Sequence, residues 1–277
     1  MKEFVRQIRR SPAYAASACG LIAICVLALI GSFWTPLDPL ALSVSARLQP
    51  PSAAHWLGTD PFGRDLLSRL LVGAGVSIRI SLATVTVSLL LGILIGTCAG
   101  YFRGATDRIA SAFVDAFLAM PGILLALALI SVLGASETGV VLALGLAYTP
   151  NVARVVRGSV LSLRESGFVE AARLFGHPHL FIILRHIVPN MVGPLTVLAS
   201  AYFAQALLSE SALSFLGLGV PPPYPSWGGI LAESRQFVAD APWLSLFPGL
   251  LIVMSLLCIN LTGDALRDYF DPRIARR

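Results

Sequence analysis

Ile80-Ser81-Leu82-Ala83-Thr84-Val85-Thr86-Val87-Ser88-Leu89-Leu90-Leu91-Gly92-Ile93-Leu94-Ile95-Gly96-Thr97-Cys98-Ala99-Gly100-Tyr101-Phe102 contains no charged side chain. A helix needs about 20 predominantly apolar residues to cross the hydrocarbon core of a bilayer, and this stretch meets that length. Five more uncharged runs flank it: Ala15–Phe33, Ala116–Ser136, Thr138–Ala153, His186–Ser209 and Ala241–Gly263. The fourth span, Thr138–Ala153, is short unless Glu137 and Arg154 snorkel at its ends. Composition agrees, because 56% of the 277 residues are hydrophobic and 13% charged, against about 25% charged in soluble domains. The pattern predicts an all-α integral membrane protein with six transmembrane helices. The first run exceeds the apolar core of a signal peptide, about 7–15 residues, and reads as an uncleaved span.

A further uncharged run, Ser211–Ala232, is interrupted by Gly217, Gly219 and four prolines between Pro221 and Pro225. Backbone groups freed by those residues cannot be satisfied facing lipid, so most of it reads as an external loop. Six spans put both termini on one side. That side collects 15 of the 20 lysines and arginines, and the positive-inside rule makes it the cytoplasm. Cys19, Cys25, Cys98 and Cys258 all lie inside apolar runs without metal-ligand spacing and read as small hydrophobes.

Three segments organise the chain: residues 1–74, a spanning helix plus external loop; 75–263, a five-helix core; and 264–277, a cytoplasmic tail. In the external loop, Thr59-Asp60-Pro61 has the form of a helix start, with Asp60 as N-cap and Pro61 at the first position. Leu66, Leu67, Leu70 and Leu71 then fall on one face and Arg64, Asp65, Ser68 and Arg69 on the other. That describes an amphipathic helix on the membrane surface or, equally, a short cap on the spans.

The cytoplasmic loop, 154–189, has a different texture. Phe168–Phe175 shows helical apolar spacing and ends at Gly176, a natural C-terminal stop. His177-Pro178-His179 opposes continuation, and Leu180–Ile187 can begin a second helix. A helix, a glycine corner and a re-entering helix make a knob for a soluble partner. Its small Ala171 and Ala172 permit close approach, and Glu170 offers a charge.

Glu170-Ala171-Ala172, three residues, Gly176, ten residues and Ile187-Val188-Pro189 resemble the EAA motif loop of ATP-binding-cassette importer permeases; Val188 stands where leucine is common. The resemblance extends to His55–Asp60 with Gly63–Leu70, to Ser214–Pro222 with Pro225–Gly228, and to Gly263–Asp268 with Asp271-Pro272-Arg273. Together these are similar to the second, C-type, permease of dipeptide and oligopeptide importers of the peptide and nickel branch. The resemblance implies a bacterial inner-membrane ABC transporter subunit that is not itself an enzyme. It would share a translocation path with a second, homologous permease. Two ATPase subunits, which bind the ATP and magnesium, would dock on a coupling helix around Glu170, Ala171, Ala172, Gly176, Ile187 and Pro189. An extracytoplasmic solute-binding protein would deliver a peptide, or nickel or glutathione as the alternative cargo. Its contacts are expected at Asp60, Arg64, Pro222, Tyr224 and Trp227.

The residues favour this division of labour independently. The sole lysine is Lys2, whereas a P-loop needs G-x-x-x-x-G-K-[ST]. No cofactor or metal is expected on this chain, since His177, His179 and His186 read as a proline-bounded turn. An ion-coupled carrier would place ionisable residues deep in the membrane, and only Asp115 and Glu210 approach the span ends. An intramembrane protease would want H-E-x-x-H or a base beside its nucleophile, and neither pattern occurs. Asp115, Gln205, Ser209 and Glu210 are the candidate path residues. Small polar residues of the second span (Ser81, Thr84, Thr86, Ser88) serve either the path or helix packing.

Overall fold

The computed structural model describes residues 11–270, and the chain within them is helical. Lys2, Arg6, Arg9 and Arg10, and the Asp271-Pro272-Arg273 motif, lie outside the described residues. The first helix, α1 (Pro12–Phe33), begins with Pro12 at a position where a missing N–H costs nothing. It is followed by α2 (Leu66–Phe102), 37 residues of unbroken helix. At 1.5 Å per residue α2 is roughly 55 Å long, nearly twice the hydrocarbon thickness of about 30 Å. The boundary drawn at 74/75 therefore falls inside it.

The helix start is not at Asp60. Asp60 sits in a turn, where its Oδ1 accepts from the Phe62 and Arg64 N–H groups at 2.8 and 2.9 Å. Gly63, at φ +73°, turns the chain there. The N-cap of α2 is Asp65, whose carboxylate accepts from the Ser68 N–H at 2.9 Å. The expected amphipathic surface helix is thus the opening of a span. Its polar face is buried with its leucines: Ser68 and Arg69 are no more than 1% exposed.

The third span also differs from expectation. It is a pair, α3 (Gly104–Leu118) and α4 (Gly122–Leu133), bent by 92°. Pro121 disfavours helical backbone at Met120, which breaks the run there. Among the described residues, five helices are long and apolar enough to cross a membrane, and counting the bent pair as one span makes six. The fourth span, α5 (Glu137–Arg164), is 28 residues long rather than marginal, because its helix continues past Arg154 into the loop. Glu137 at its start is held by Arg79 across the helix pair, at 2.6 Å.

The remaining elements are α6 (Gly167–Leu174), α7 (His179–Phe215), α8 (Trp227–Ser234) and α9 (Trp243–Phe270). The Ser211–Ala232 run is not simply an external loop. α7 takes its first five residues, and α8 folds back into the bundle with Trp227 1% exposed. The Trp227 indole donates to the Leu70 carbonyl at 3.1 Å, and its backbone N–H to Ser77 Oγ at 3.2 Å. The start of the expected tail is helix as well, since α9 runs to Phe270 and Asp268 accepts from the Tyr14 hydroxyl at 2.8 Å.

α2 and α5 form the most extensive helix pair. Gly92, Gly96 and Gly100 recur every four residues on α2 and face Val152, Ala153, Val156 and Val160. A β-carbon at Gly96 would stand 2.5 Å from the Ala153 carbonyl oxygen. Such small-residue seams let helix backbones meet in lipid. Gly96→Ala is expected to cost about 1–3 kcal/mol through overpacking, read as a lower thermal midpoint of the purified protein in detergent. Gly158→Ala is the control, since nothing lies within 4 Å of its β-carbon. An equal midpoint for the two variants would contradict the packing.

Candidate functional site: a helical knob at one end of the bundle

α6 forms because Val169 and Ala172, one turn apart, both find the bundle; they are 0% and 5% exposed. It stops in a glycine cap. The Gly176 N–H donates to the Arg173 carbonyl at 2.9 Å and the His177 N–H to the Ala172 carbonyl at 3.2 Å. Gly176 has φ +75°, with open space where a β-carbon would lie. Conformation, not room, requires glycine here.

The following turn is irregular for a reason legible in Pro189. Proline has no N–H for the Arg185 carbonyl. The helix instead widens to a π-turn over Ile183–Ile187, in which the Val188 N–H donates five residues back to the Ile183 carbonyl, then tightens to a 3-10 turn over Val188–Met191. Ile187 is 0% exposed, whereas Pro189 faces outward.

The knob is fastened to the ends of the two central helices. Val169, Ala172, Ile182, Ile187 and Met191 share one apolar cluster with Tyr101 of α2 and with Val152, Val156 and Val160 of α5. The Tyr101 hydroxyl lies 3.0 Å from His179 Nδ1, and the Arg173 guanidinium lies 5.3 Å over the Tyr101 ring. His177 stacks on Phe181, with ring centroids 4.5 Å apart. His186 meets Phe168 and the same Phe181, whereas His179 faces Tyr101 and Phe102.

The outward surface of the knob is apolar with one acid. Glu170 is exposed, beside Leu174 at 84% and Phe175 at 82% exposure, and Leu180 and Leu184 extend the patch. Apolar side chains presented together on a tight turn mark an interaction surface. Leu174, Phe175, Leu180 and Leu184 were not among the residues singled out from sequence; their signal was the helical spacing already used to place α6 and the helix beyond.

The candidate path residues do not form one site. Gln205 and Ser209 are together: Ser209 Oγ accepts from the Tyr148 hydroxyl at 2.8 Å and from Gln205 Nε2 at 3.4 Å. Tyr202 packs on Tyr148 at 5.3 Å, and neither tyrosine was anticipated. Glu210 is fully buried within a ring of serines and accepts from Ser214 Oγ at 2.8 Å. It is not the interfacial residue expected, because it is enclosed by the protein and its carboxylate is met by serine hydroxyls. Asp115 pairs with Arg154 at 2.5 Å near the knob end. Ser81, Thr84 and Ser88 are buried between helices, with Ser81 and Ser88 bonded to carbonyls of their own helix, while Thr86 is exposed.

At the opposite end, three of the expected docking residues are inside the protein. Asp60, Arg64 and Trp227 are 2%, 6% and 1% exposed. Arg64 Nε reaches Asp60 at 2.5 Å and Arg64 Nη2 reaches Glu233 at 2.8 Å, while Arg69 Nη2 meets both oxygens of Glu233 at 2.9 Å. Mutual neutralisation of these charges is why they are buried. Pro222 and Tyr224 remain exposed.

Residues 88–276 match the family described as binding-protein-dependent transport system inner membrane component. A Brucella suis biovar 1 relative, named provisionally as a peptide transport system permease protein, is 45% identical over 269 residues, 97% of this chain and 90% of its own. The dipeptide transport system permease protein DppC of Alkalihalophilus pseudofirmus is 38% identical, covering 99% and 90%. The glutathione transport system permease protein GsiD of Pectobacterium atrosepticum is also 38% identical, covering 99% and 91%. Among solved structures, an inward-facing MetNI methionine ABC transporter chain superposes with a TM-score of 0.61 at 18% identity, over 73% of this chain and 95% of that one. That likeness concerns the fold.

Proposed function

This chain belongs to the family of binding-protein-dependent transport system inner membrane components, and on that premise we propose that it is one of two permease subunits of an ATP-driven peptide importer. The observation that carries the proposal is the fastened, glycine-capped knob with an apolar outward face. An ATPase subunit docked on Glu170, Leu174 and Phe175 pushes against the ends of α2 and α5, because the inner face of the knob is packed on both. Closure of two such ATPases on ATP then tilts the long helices and alternates access to a path shared with a second permease.

The knob-bearing end is the cytoplasmic one in this reading. It carries Arg103, Arg108, the five arginines from Arg154 to Arg185 and Arg267, whereas the other end carries five arginines. ATP and its magnesium belong to the partner subunits. The solute-binding protein approaches the opposite end, where Pro222 and Tyr224 are exposed.

Peptide is the favoured cargo because relatives similar over nearly the whole chain include peptide and dipeptide permeases. Glutathione, itself a tripeptide, is the second reading, supported by the 38% identity to GsiD. Mass spectrometry of ligand released from the cognate binding protein after gentle purification separates the readings. Peptides of varied sequence are expected. Glutathione alone supports the second reading, and a nickel complex contradicts both.

A further inference from the structure

The end opposite the knob contains an open hollow of about 920 Å³ between the segment after α1 and the segment after α8. Its electrostatics are one-sided. Glu233, a carboxylate in its wall, is already neutralised by Arg64 and Arg69 at 2.8 and 2.9 Å. Asp65 is occupied by His55 at 3.0 Å, and Asp38 and Asp240 do not line the hollow. Arg47 and Arg235, which do, have no carboxylate partner among the described residues.

Both guanidinium groups are nevertheless held in place. Arg47 lies 6.0 Å over the ring of Phe237, and Arg235 lies 4.8 Å over that of Phe215. A ring face orients an arginine without neutralising it. The rim beside them is apolar and prominent: Val44 is 90% exposed, Leu42 71% and Phe62 55%. Pre-positioned, unneutralised arginines amid exposed aromatic and aliphatic side chains have the composition of a protein-recognition patch.

We propose that this hollow is the docking site for an acidic surface segment of the extracytoplasmic solute-binding protein, with Arg47 and Arg235 as its carboxylate clamps. The proposal rests on the importer reading above. It moves the docking surface from the buried Asp60, Arg64 and Trp227 to residues that a partner can reach. Two unneutralised cations with no counter-charge of their own select an acidic partner and speed its arrival.

The test uses the complete importer in nanodiscs and its purified, peptide-loaded binding protein. Arg47→Glu with Arg235→Glu is expected to weaken binding about 10–100-fold and to flatten its salt dependence. Arg47→Gln with Arg235→Gln, which removes charge without reversing it, should fall between that variant and wild type. Unchanged affinity in both double variants overturns the proposal while the importer reading stands. So does loss of the second permease from the purified complex, which would make the hollow a permease–permease interface. Unchanged affinity with a raised KM for peptides bearing a free C-terminal carboxylate, but not for amidated ones, also overturns it by assigning the clamps to cargo. A wild-type complex that recruits no binding protein sinks both readings.

Discussion

Arg69→Leu is expected to lower the stability of the protein by about 3–5 kcal/mol, the range for removing one member of a buried charge network. Arg69 is 1% exposed on α2, with its Nη2 shared between the two oxygens of Glu233 and its Nε 3.4 Å from Asp60. Arg64 completes the set, so two cations face two anions. Leucine would leave one uncompensated negative charge where water cannot reach Asp60. It would also cut the principal tie between α2 and Glu233 of α8, 164 residues away. Asp60→Asn in the Arg69→Leu background restores the charge balance and should recover part of the loss. Thermal and denaturant midpoints of the detergent-solubilised subunit read both effects. A midpoint for Arg69→Leu equal to wild type would show that the network carries no stability.

Glu170→Lys and Gly176→Val are expected to reduce peptide uptake at least tenfold while leaving the subunit inserted and folded. The two act differently. Glu170 is exposed and packs on nothing internal, so reversing its charge alters only what the knob presents. A partner charge facing it would then meet repulsion, and a lost hot-spot contact of about 2 kcal/mol corresponds to roughly thirtyfold in docking. At Gly176 a β-carbon meets no neighbour, but valine at φ +75° costs about 1–2 kcal/mol and reopens the helix cap. The glycine cap sets the angle at which Leu174 and Phe175 are offered, so the variant changes the shape of the knob rather than the bundle. Membrane insertion and thermal midpoint near wild type, with uptake lost, are the expected combination.

Much of the architecture is legible in the sequence because lipid imposes a simple rule: a span is a long run without charge. The EAA spacing located the knob for a similarly local reason, as α6 and its glycine cap occupy ten consecutive residues, Gly167–Gly176. What escaped reading depends on distant partners. Arg64 and Arg69 resemble a solvated helix face until Glu233 is folded against them, and Trp227 in a proline-rich run resembles a loop residue until Leu70 and Ser77 accept its N–H groups. Asp60-Pro61 has the local form of a helix start, yet Asp65, five residues after Asp60, caps α2 because Gly63 turns the chain first. The bend at Pro121 was present as a residue but not as an angle, since proline permits both a kink and a full break. Glu210 was misplaced because Ser211 and Ser214 of its own helix, with Ser226 before α8 and Ser77 of α2, supply a solvation shell that no local pattern reveals.

In the proposed importer, the Glu170–Gly176 knob converts ATP binding on separate subunits into movement of this chain. Its most direct test is the number of ATP molecules hydrolysed per peptide imported, measured in proteoliposomes that contain all partners and either wild-type chain, Glu170→Lys or Gly176→Val. Intact assembly is expected in all three, with peptide-stimulated hydrolysis and uptake in wild type and loss of that link in both variants. Peptide-stimulated hydrolysis and uptake at wild-type rates in both variants would contradict it.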